Sequence, residues 1–184
     1  MNKHISILLI MPILLISCRT SSQDNEQLTQ GPALFTRPET GNQYFLSEIG
    51  TWEEAQSQAE AAGGHLVIIE DEQEQAWLME TFQSQDSSGY LAGELRPSPL
   101  AFWIGLSDRQ VEGEFRWVNG EPLSYQNFAP GEPNNTTPEG KEEDFVALAL
   151  DPSYNPVIGY WNDGNQERGQ VRGIIEIERQ DLPD

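Results

Sequence analysis

Thr51-Trp52-Glu53-Glu54 joins a hydroxyl N-cap to an acid three positions on, the reciprocal pattern that opens a helix. Trp52, Ala55, Ala59 and Ala62 then recur at helical spacing, and Gly63-Gly64 stops the run. Asp71 caps a second predicted helix with Glu74 at its third position, and Trp77, Leu78 and Phe82 form its apolar face. Leu66 to Ile69, between the two, reads as a short buried strand. From Ser84 to Pro99 the chain is rich in Gly, Pro, Ser and Asp and reads as loop. Beyond it only short apolar runs occur: Phe102-Trp103-Ile104-Gly105-Leu106, Phe115-Arg116-Trp117-Val118, Asp144 to Leu150, Gly159 to Trp161 and Gly173 to Ile177, with Asn119-Gly120 as a turn. Two early helices followed by short strands and long loops predict an α+β domain. Gly131 to Glu142 is the longest polar stretch among the strands, and loops of that length in a small domain are usually functional.

Composition removes several classes of function. The 184 residues carry 30 Asp plus Glu against 10 Lys plus Arg, a formal charge of −20, so no clustered basic surface is available for nucleic-acid phosphates. The same charge opposes electrostatic docking on anionic lipid headgroups. One cysteine excludes an intramolecular disulfide framework and a thiolate zinc cluster. Five Trp, five Tyr and seven Phe are too many for a disordered chain.

The first residues stand apart. Lys3 and His4 precede a nearly unbroken apolar run, Ile5 to Ile16, too short to span a bilayer and suited to a signal peptide. Leu15-Ile16-Ser17-Cys18 resembles the lipobox of bacterial lipoproteins, which implies cleavage after Ser17 and diacylglyceryl transfer to the Cys18 thiol. Arg19 to Ala33 is rich in Gln and Ser without apolar periodicity. The expected organisation is therefore a signal peptide over 1–17, the lipidated Cys18 and a tether over 18–40, a domain over 41–180 and a tail over 181–184. Such a chain is exported and held at the cell envelope, on the outer membrane, by its lipid anchor alone.

Three acidic segments of the domain supply oxygen donors and no soft ligand: Glu132-Pro133-Asn134, Glu142-Glu143-Asp144 and Asn162-Asp163. A hard divalent cation such as Ca2+ takes six to eight oxygens from carboxylates, amides and carbonyls, so these segments favour Ca2+ over zinc or copper. Trp52, Trp77, Trp103, Trp117 and Trp161 read as core residues, although Trp161 adjoins two of the donors.

The succession Trp52-Glu53-Glu54-Ala55, Gly64-His65-Leu66-Val67, Phe102-Trp103-Ile104-Gly105-Leu106, Glu132-Pro133-Asn134 and Trp161-Asn162-Asp163 resembles the C-type lectin-like domain over about Tyr44 to Arg179. The resemblance implies two helices, two small antiparallel sheets and a long calcium-binding loop. It implies that Glu132, Asn134, Glu143, Asn162 and Asp163 bind both Ca2+ and ligand, with Glu142 a rival to Glu143 and Pro133 in cis. It also implies an auxiliary calcium site from Asp108, Glu112 and Asp144, one carboxylate short because Asn135 stands where an acid is common. The expected ligand is a mannose-type glycan, since Glu-Pro-Asn goes with equatorial 3- and 4-hydroxyls. Recognition without bond breaking follows, so no catalysis is expected.

The chain departs from the family in two ways. Ala59 with Ile175, and Phe145 with Gln166, occupy the positions of the family's absent disulfides. The segment from Asn134 to Glu143, with Thr136, Thr137, Pro138 and Lys141, is longer than usual, and Asp151 to Ile158 is a further expansion. The competing expectation is a calcium-stabilised protein-binding or adhesion module of the same fold with no sugar ligand.

Overall fold

The structure, a computed structural model, describes residues 32–83, 101–137, 140–149, 159–165 and 171–179. The expected signal peptide, Cys18, most of the tether, the loop from Ser84 to Pro99, the expansion from Asp151 to Ile158, Pro138, Gln166 and the tail lie outside these residues. In chain order the elements are β1 (Phe35–Thr36), β2 (Gln43–Leu46), α1 (Trp52–Ala61), β3 (His65–Leu66), α2 (Glu72–Phe82), β4 (Ala101–Ser107), β5 (Arg116–Trp117), β6 (Phe145–Ala149), β7 (Trp161–Gly164) and β8 (Arg172–Ile177).

Both helices start where their caps require. The Thr51 hydroxyl accepts the Glu54 N–H at 3.2 Å while the Glu54 carboxylate accepts the Thr51 N–H at 2.9 Å, satisfying two otherwise orphaned donors. Asp71 accepts the Glu74 N–H at 2.8 Å, but the Glu74 carboxylate turns back to the Glu70 N–H instead of the cap residue. Trp52, Ala55 and Ala59 are buried on α1, whereas Ala62 is its C-cap and is exposed, because the helix ends before that position can turn inward. Gly63 follows with φ of +83°, where a Cβ would be strained.

The strands form one mixed sheet in the order β1-β2-β8-β4-β6-β7, with β3 on β8 and β5 on β4. The two small antiparallel ladders expected are present and are joined into one sheet. Phe102 and Trp103 of β4 run parallel to Arg172 and Gly173 of β8 and so join the two antiparallel ladders. β4 lies inside the sheet, which is why its whole middle, from Phe102 to Leu106, is buried without alternation. Gly105 in that run accepts no side chain: a Cβ there would meet the carbonyl oxygen of Leu66, and its N–H donates to the Val67 carbonyl at 2.8 Å.

The fold also begins earlier than residue 41. β1 pairs with β2, the Phe35 and Phe82 rings meet edge to face at 5.3 Å, and Arg37 is buried, so the end of the expected tether is part of the domain. β2 in turn pairs with β8, opposite Ile174 to Ile177. The larger core gathers Ile69, Leu78, Phe82, Ile104, Leu106, Leu148, Trp161 and Ile174 between α2 and the sheet. A smaller one, Trp52, Ala55, Leu66, Trp103 and Phe145, lies under α1. Ala59 and Ile175, at the positions of one absent disulfide, are both buried, on α1 and β8.

Candidate functional site

β7 positions the site through its alternation. Trp161 and Asp163 are fully buried and Asn162 between them is exposed. The Trp161 ring packs edge to face on Trp117, Tyr125 and Phe128 at 5.6–5.8 Å, and its N–H donates to the Gln75 side-chain oxygen at 2.9 Å. Trp161 is therefore core, and its anchorage sets Asp163 opposite Val146 in the β6–β7 ladder.

The Asp163 carboxylate faces the Glu132–Asn135 loop, whose Glu132–Pro133 peptide is cis. It accepts the Asn134 N–H at 3.0 Å and the Asn135 N–H at 2.7 Å. A buried carboxylate needs such donors, and here they come from the backbone of the loop that it fixes. The Asn134 side-chain amide donates to Glu132, and its oxygen accepts the Thr136 N–H at 2.9 Å. Asn135 holds φ of +49°, and its side-chain oxygen accepts the Glu143 N–H at 2.8 Å.

The result is a convergence of like charge. Burial raises the Glu132 carboxyl to about 7, a bond to Asp163 and the charges of Asp163 and Glu143 add to the rise, and the Asn134 amide opposes it. The charges of Glu132, Glu143 and Asp163 thus act on one another, and the Asn134 amide is bonded to Glu132. The Asn162 amide donates to the Asp163 main-chain carbonyl at 2.7 Å, so its link to the group runs through Asp163. Of the two rival acids, Glu143 bears on Glu132, whereas Glu142 bears on Glu112.

Glu112 belongs to a second cluster. One carboxylate oxygen each from Asp108, Glu112 and Asp144 lies within 4.8 Å of the others. Asp108 is buried; its Oδ2 accepts the Gly113 N–H at 2.9 Å, and its Oδ1 has no hydrogen-bond partner. Burial pushes the Asp108 carboxyl above its ordinary range, and the charges of Asp144 and Asp163 push the same way. Glu112, although exposed, is raised by desolvation and by Asp108, Asp144 and Glu142, against a bond from Asn135. An orphaned buried carboxylate oxygen among converging acids, with oxygen donors only, fits a hard divalent cation.

Asn135 has a structural part in this assembly that its place in the sequence conceals. Its N–H, side chain and left-handed backbone tie Asp163, Glu143 and Glu112 into one assembly, although by residue type it is one carboxylate fewer. The signal available was its residue type, since Asn tolerates the left-handed region better than other non-glycine residues. The lengthened segment after it is closed on itself: the Thr137 N–H donates to the Lys141 carbonyl at 2.9 Å, and the Lys141 N–H to the Thr137 hydroxyl at 3.1 Å.

The lectin C-type domain model matches residues 48–168. The mouse low affinity immunoglobulin epsilon Fc receptor is 35% identical over 120 residues, which are 65% of this chain and 29% of the receptor. A perlucin-like protein of Mytilus galloprovincialis is 34% identical over 100 residues, 53% of this chain and 58% of that protein. The chain thus covers less than two thirds of the length of either relative. The carbohydrate-recognition domain of mouse scavenger receptor C-type lectin superposes with a TM-score of 0.61 at 28% identity, over 84% of this chain and all of that domain. The cow CD23 carbohydrate-recognition domain, crystallised in the presence of GlcNAc2Man3 oligosaccharide, gives 0.61 at 26% identity over 83% of this chain and 98% of its own. C-type lectin domains bind carbohydrate, are not enzymes and in general depend on calcium. With its fold and these similarities in agreement, the chain belongs to the C-type lectin domain family.

Proposed function

We propose that this domain binds a mannose-type glycan through Ca2+ held by Glu132, Asn134, Glu143, Asn162 and Asp163. The observation that carries the reading is the convergence of the Glu132, Glu143 and Asp163 carboxylates beside the Asn134 amide. When bound, Ca2+ would take two neighbouring sugar hydroxyl oxygens into its shell. The chain's own part is hydrogen bonding: carboxylates accept hydrogen bonds from the sugar hydroxyls, and the Asn134 and Asn162 amides donate to the remaining lone pairs. Buried Asp163 holds the loop in place before ligand arrives, which lowers the ordering cost of binding. Asp108, Glu112 and Asp144 would hold a second Ca2+, which would order the loops. The mannose preference rests on the Glu-Pro-Asn sequence and gains support from the oligosaccharide named with the cow CD23 domain. Lipidation at Cys18 places the domain on the cell envelope, facing its glycan on a tether.

The test is binding of the soluble mature protein, with Cys18 replaced by Ser, to an array of mannose- and galactose-type glycans with Ca2+ and with chelator. Chelator-sensitive mannose binding that disappears in Asn134→Asp supports the reading. A protein stabilised by Ca2+ that binds no sugar overturns it in favour of a protein-binding module. Mass spectrometry of the exported full chain checks the anchor, which requires a diacylglyceryl adduct on Cys18.

A further inference from the structure

Away from the acidic loops, three titratable side chains are buried together where β2, α2 and β8 meet: Tyr44, Glu74 and Glu176, none more than 5% exposed. The Tyr44 hydroxyl oxygen lies 2.9 Å from Glu74 Oε1 and 2.8 Å from Glu176 Oε1. A phenol has one hydrogen and an ionised carboxylate has none. With both acids ionised, Tyr44 donates to one and turns a lone pair on the other at hydrogen-bond distance, in a space closed to water. The geometry is satisfied only if one carboxyl is protonated and donates to the Tyr44 oxygen.

The two acids differ in their partners. Glu176 already accepts from the Asn42 amide at 2.8 Å and from the Ile68 N–H at 3.3 Å, in addition to Tyr44. Glu74 accepts the Glu70 N–H at 3.1 Å on its other oxygen. Arg37 stands 3.3 Å from Glu74 but is divided among three acids, with Glu39 and Asp71 each at 3.7 Å. From β3, His65 pairs with Glu176 in register, but its ring is engaged by the Leu66 carbonyl at 2.9 Å and by Glu178 at 3.5 Å. No further charge therefore compensates the pair among the described contacts.

We propose that Glu74 is a buried proton-binding site, a carboxylic acid donating to Tyr44, and that loss of its proton loosens the joint of the N-terminal strands with α2 and β8. Burial raises the Glu74 carboxyl to about 6 and the Glu176 charge adds to the rise, while the Glu70 N–H, the Tyr44 hydroxyl and the Arg37 charge oppose it. Burial also keeps the proton on Tyr44, so the phenol does not titrate in its place. The sign follows. A carboxyl raised in the folded state contributes stability that is whole below its unfolded value of 4.5 and is lost as pH rises through about 6.

The experiment is a carbon-13 titration of the glutamate carboxyls in the full chain, assigned residue by residue, beside urea unfolding of wild type and Glu74→Gln from pH 4.5 to 8 in chelator. A Glu74 signal titrating near 6 is expected. The folding equilibrium constant of wild type should fall relative to Glu74→Gln by about sixteenfold across that range, half the ratio between a carboxyl at about 6 and one at 4.5 because the unfolded carboxyl is already half ionised at pH 4.5. Glu74 titrating with the exposed acids overturns the proposal, as do equal pH slopes for the two proteins. If Glu74→Gln does not fold, the assigned wild-type titration decides alone. The outcome is independent of sugar or metal binding, since none of these groups belongs to the acidic loops.

Discussion

Replacing Asn135 by Ala and by Gly separates two contributions that the native residue combines. Either change removes the side-chain oxygen that accepts the half-buried Glu143 N–H at 2.8 Å, a loss worth about 0.5–1.5 kcal/mol. The backbone N–H to Asp163 stays in both variants, so the loop keeps its anchor. Ala must also occupy φ of +49°, which costs an ordinary L-residue about 1–2 kcal/mol. Gly pays nothing there but gives up about 0.4–1 kcal/mol through its freer unfolded chain. The balance puts Asn135→Gly about 1–2 kcal/mol below wild type and Asn135→Ala about 0.5–1 kcal/mol lower again. Urea unfolding in chelator, with a common m-value, measures both differences. Asn135→Ala equal to or more stable than Asn135→Gly would refute the strain. Both variants within about 0.3 kcal/mol of wild type would show that the bond to Glu143 contributes nothing. Asn135→Asp adds the further contrast: it keeps an acceptor and the tolerated backbone but places another carboxylate beside Glu112, so it should destabilise in chelator and stabilise in Ca2+.

Other perturbations follow from the same contacts. In chelator, Glu132, raised to about 7, contributes stability that is lost as pH rises from its ordinary 4.5 through that value; Glu132→Gln should flatten this part of the stability–pH profile measured by thermal melts. Saturating Ca2+ at a hundred times its dissociation constant should add about 2.7 kcal/mol per site in calorimetry, and Asp108→Asn should remove part of that gain without abolishing the remainder. Ile175→Ala, at a position only 1% exposed where a disulfide is missing, should cost about 2–5 kcal/mol in denaturant unfolding, with no dependence on Ca2+.

The elements that were legible in the sequence are those specified locally. Thr51 and Glu54 are three residues apart and make both bonds of the capping box, so the pattern and the contact are nearly the same thing. The central run from Phe102 to Leu106 is apolar without alternation because it is buried on both faces of the sheet. The elements that local sequence does not specify depend on distant partners. β1 is two residues long and β2 four, too short for periodicity, and their pairing is decided by β8 at the far end of the chain. The parallel contact of β4 with β8 that merges the sheets leaves no local trace either. At the site, residue types revealed the oxygen donors, whereas the division between Glu142 and Glu143 required three-dimensional proximity. Glu74 and Glu176 were hidden for the opposite reason: in so acidic a chain a glutamate reads as surface, and only the fold places two of them on one tyrosine.

The Trp-Asn-Asp motif acquires a single physical meaning from β7. Trp161 is buried among three aromatic rings and bonded to Gln75 on α2, so the strand cannot slip without exposing an indole. Its register fixes Asn162 outward and Asp163 inward, opposite Ala147 and Val146. Asp163 then spends its carboxylate on the N–H groups of Asn134 and Asn135, and the loop is held from beneath by a charge that water does not reach. A longer Asn134–Glu143 segment can be accommodated because the anchor precedes it and because Thr137 and Lys141 close the extra chain on itself. The core tryptophan and the buried aspartate thus keep the exposed Asn162 and Asn134 side chains in register, one strand serving as anchor, clamp and display.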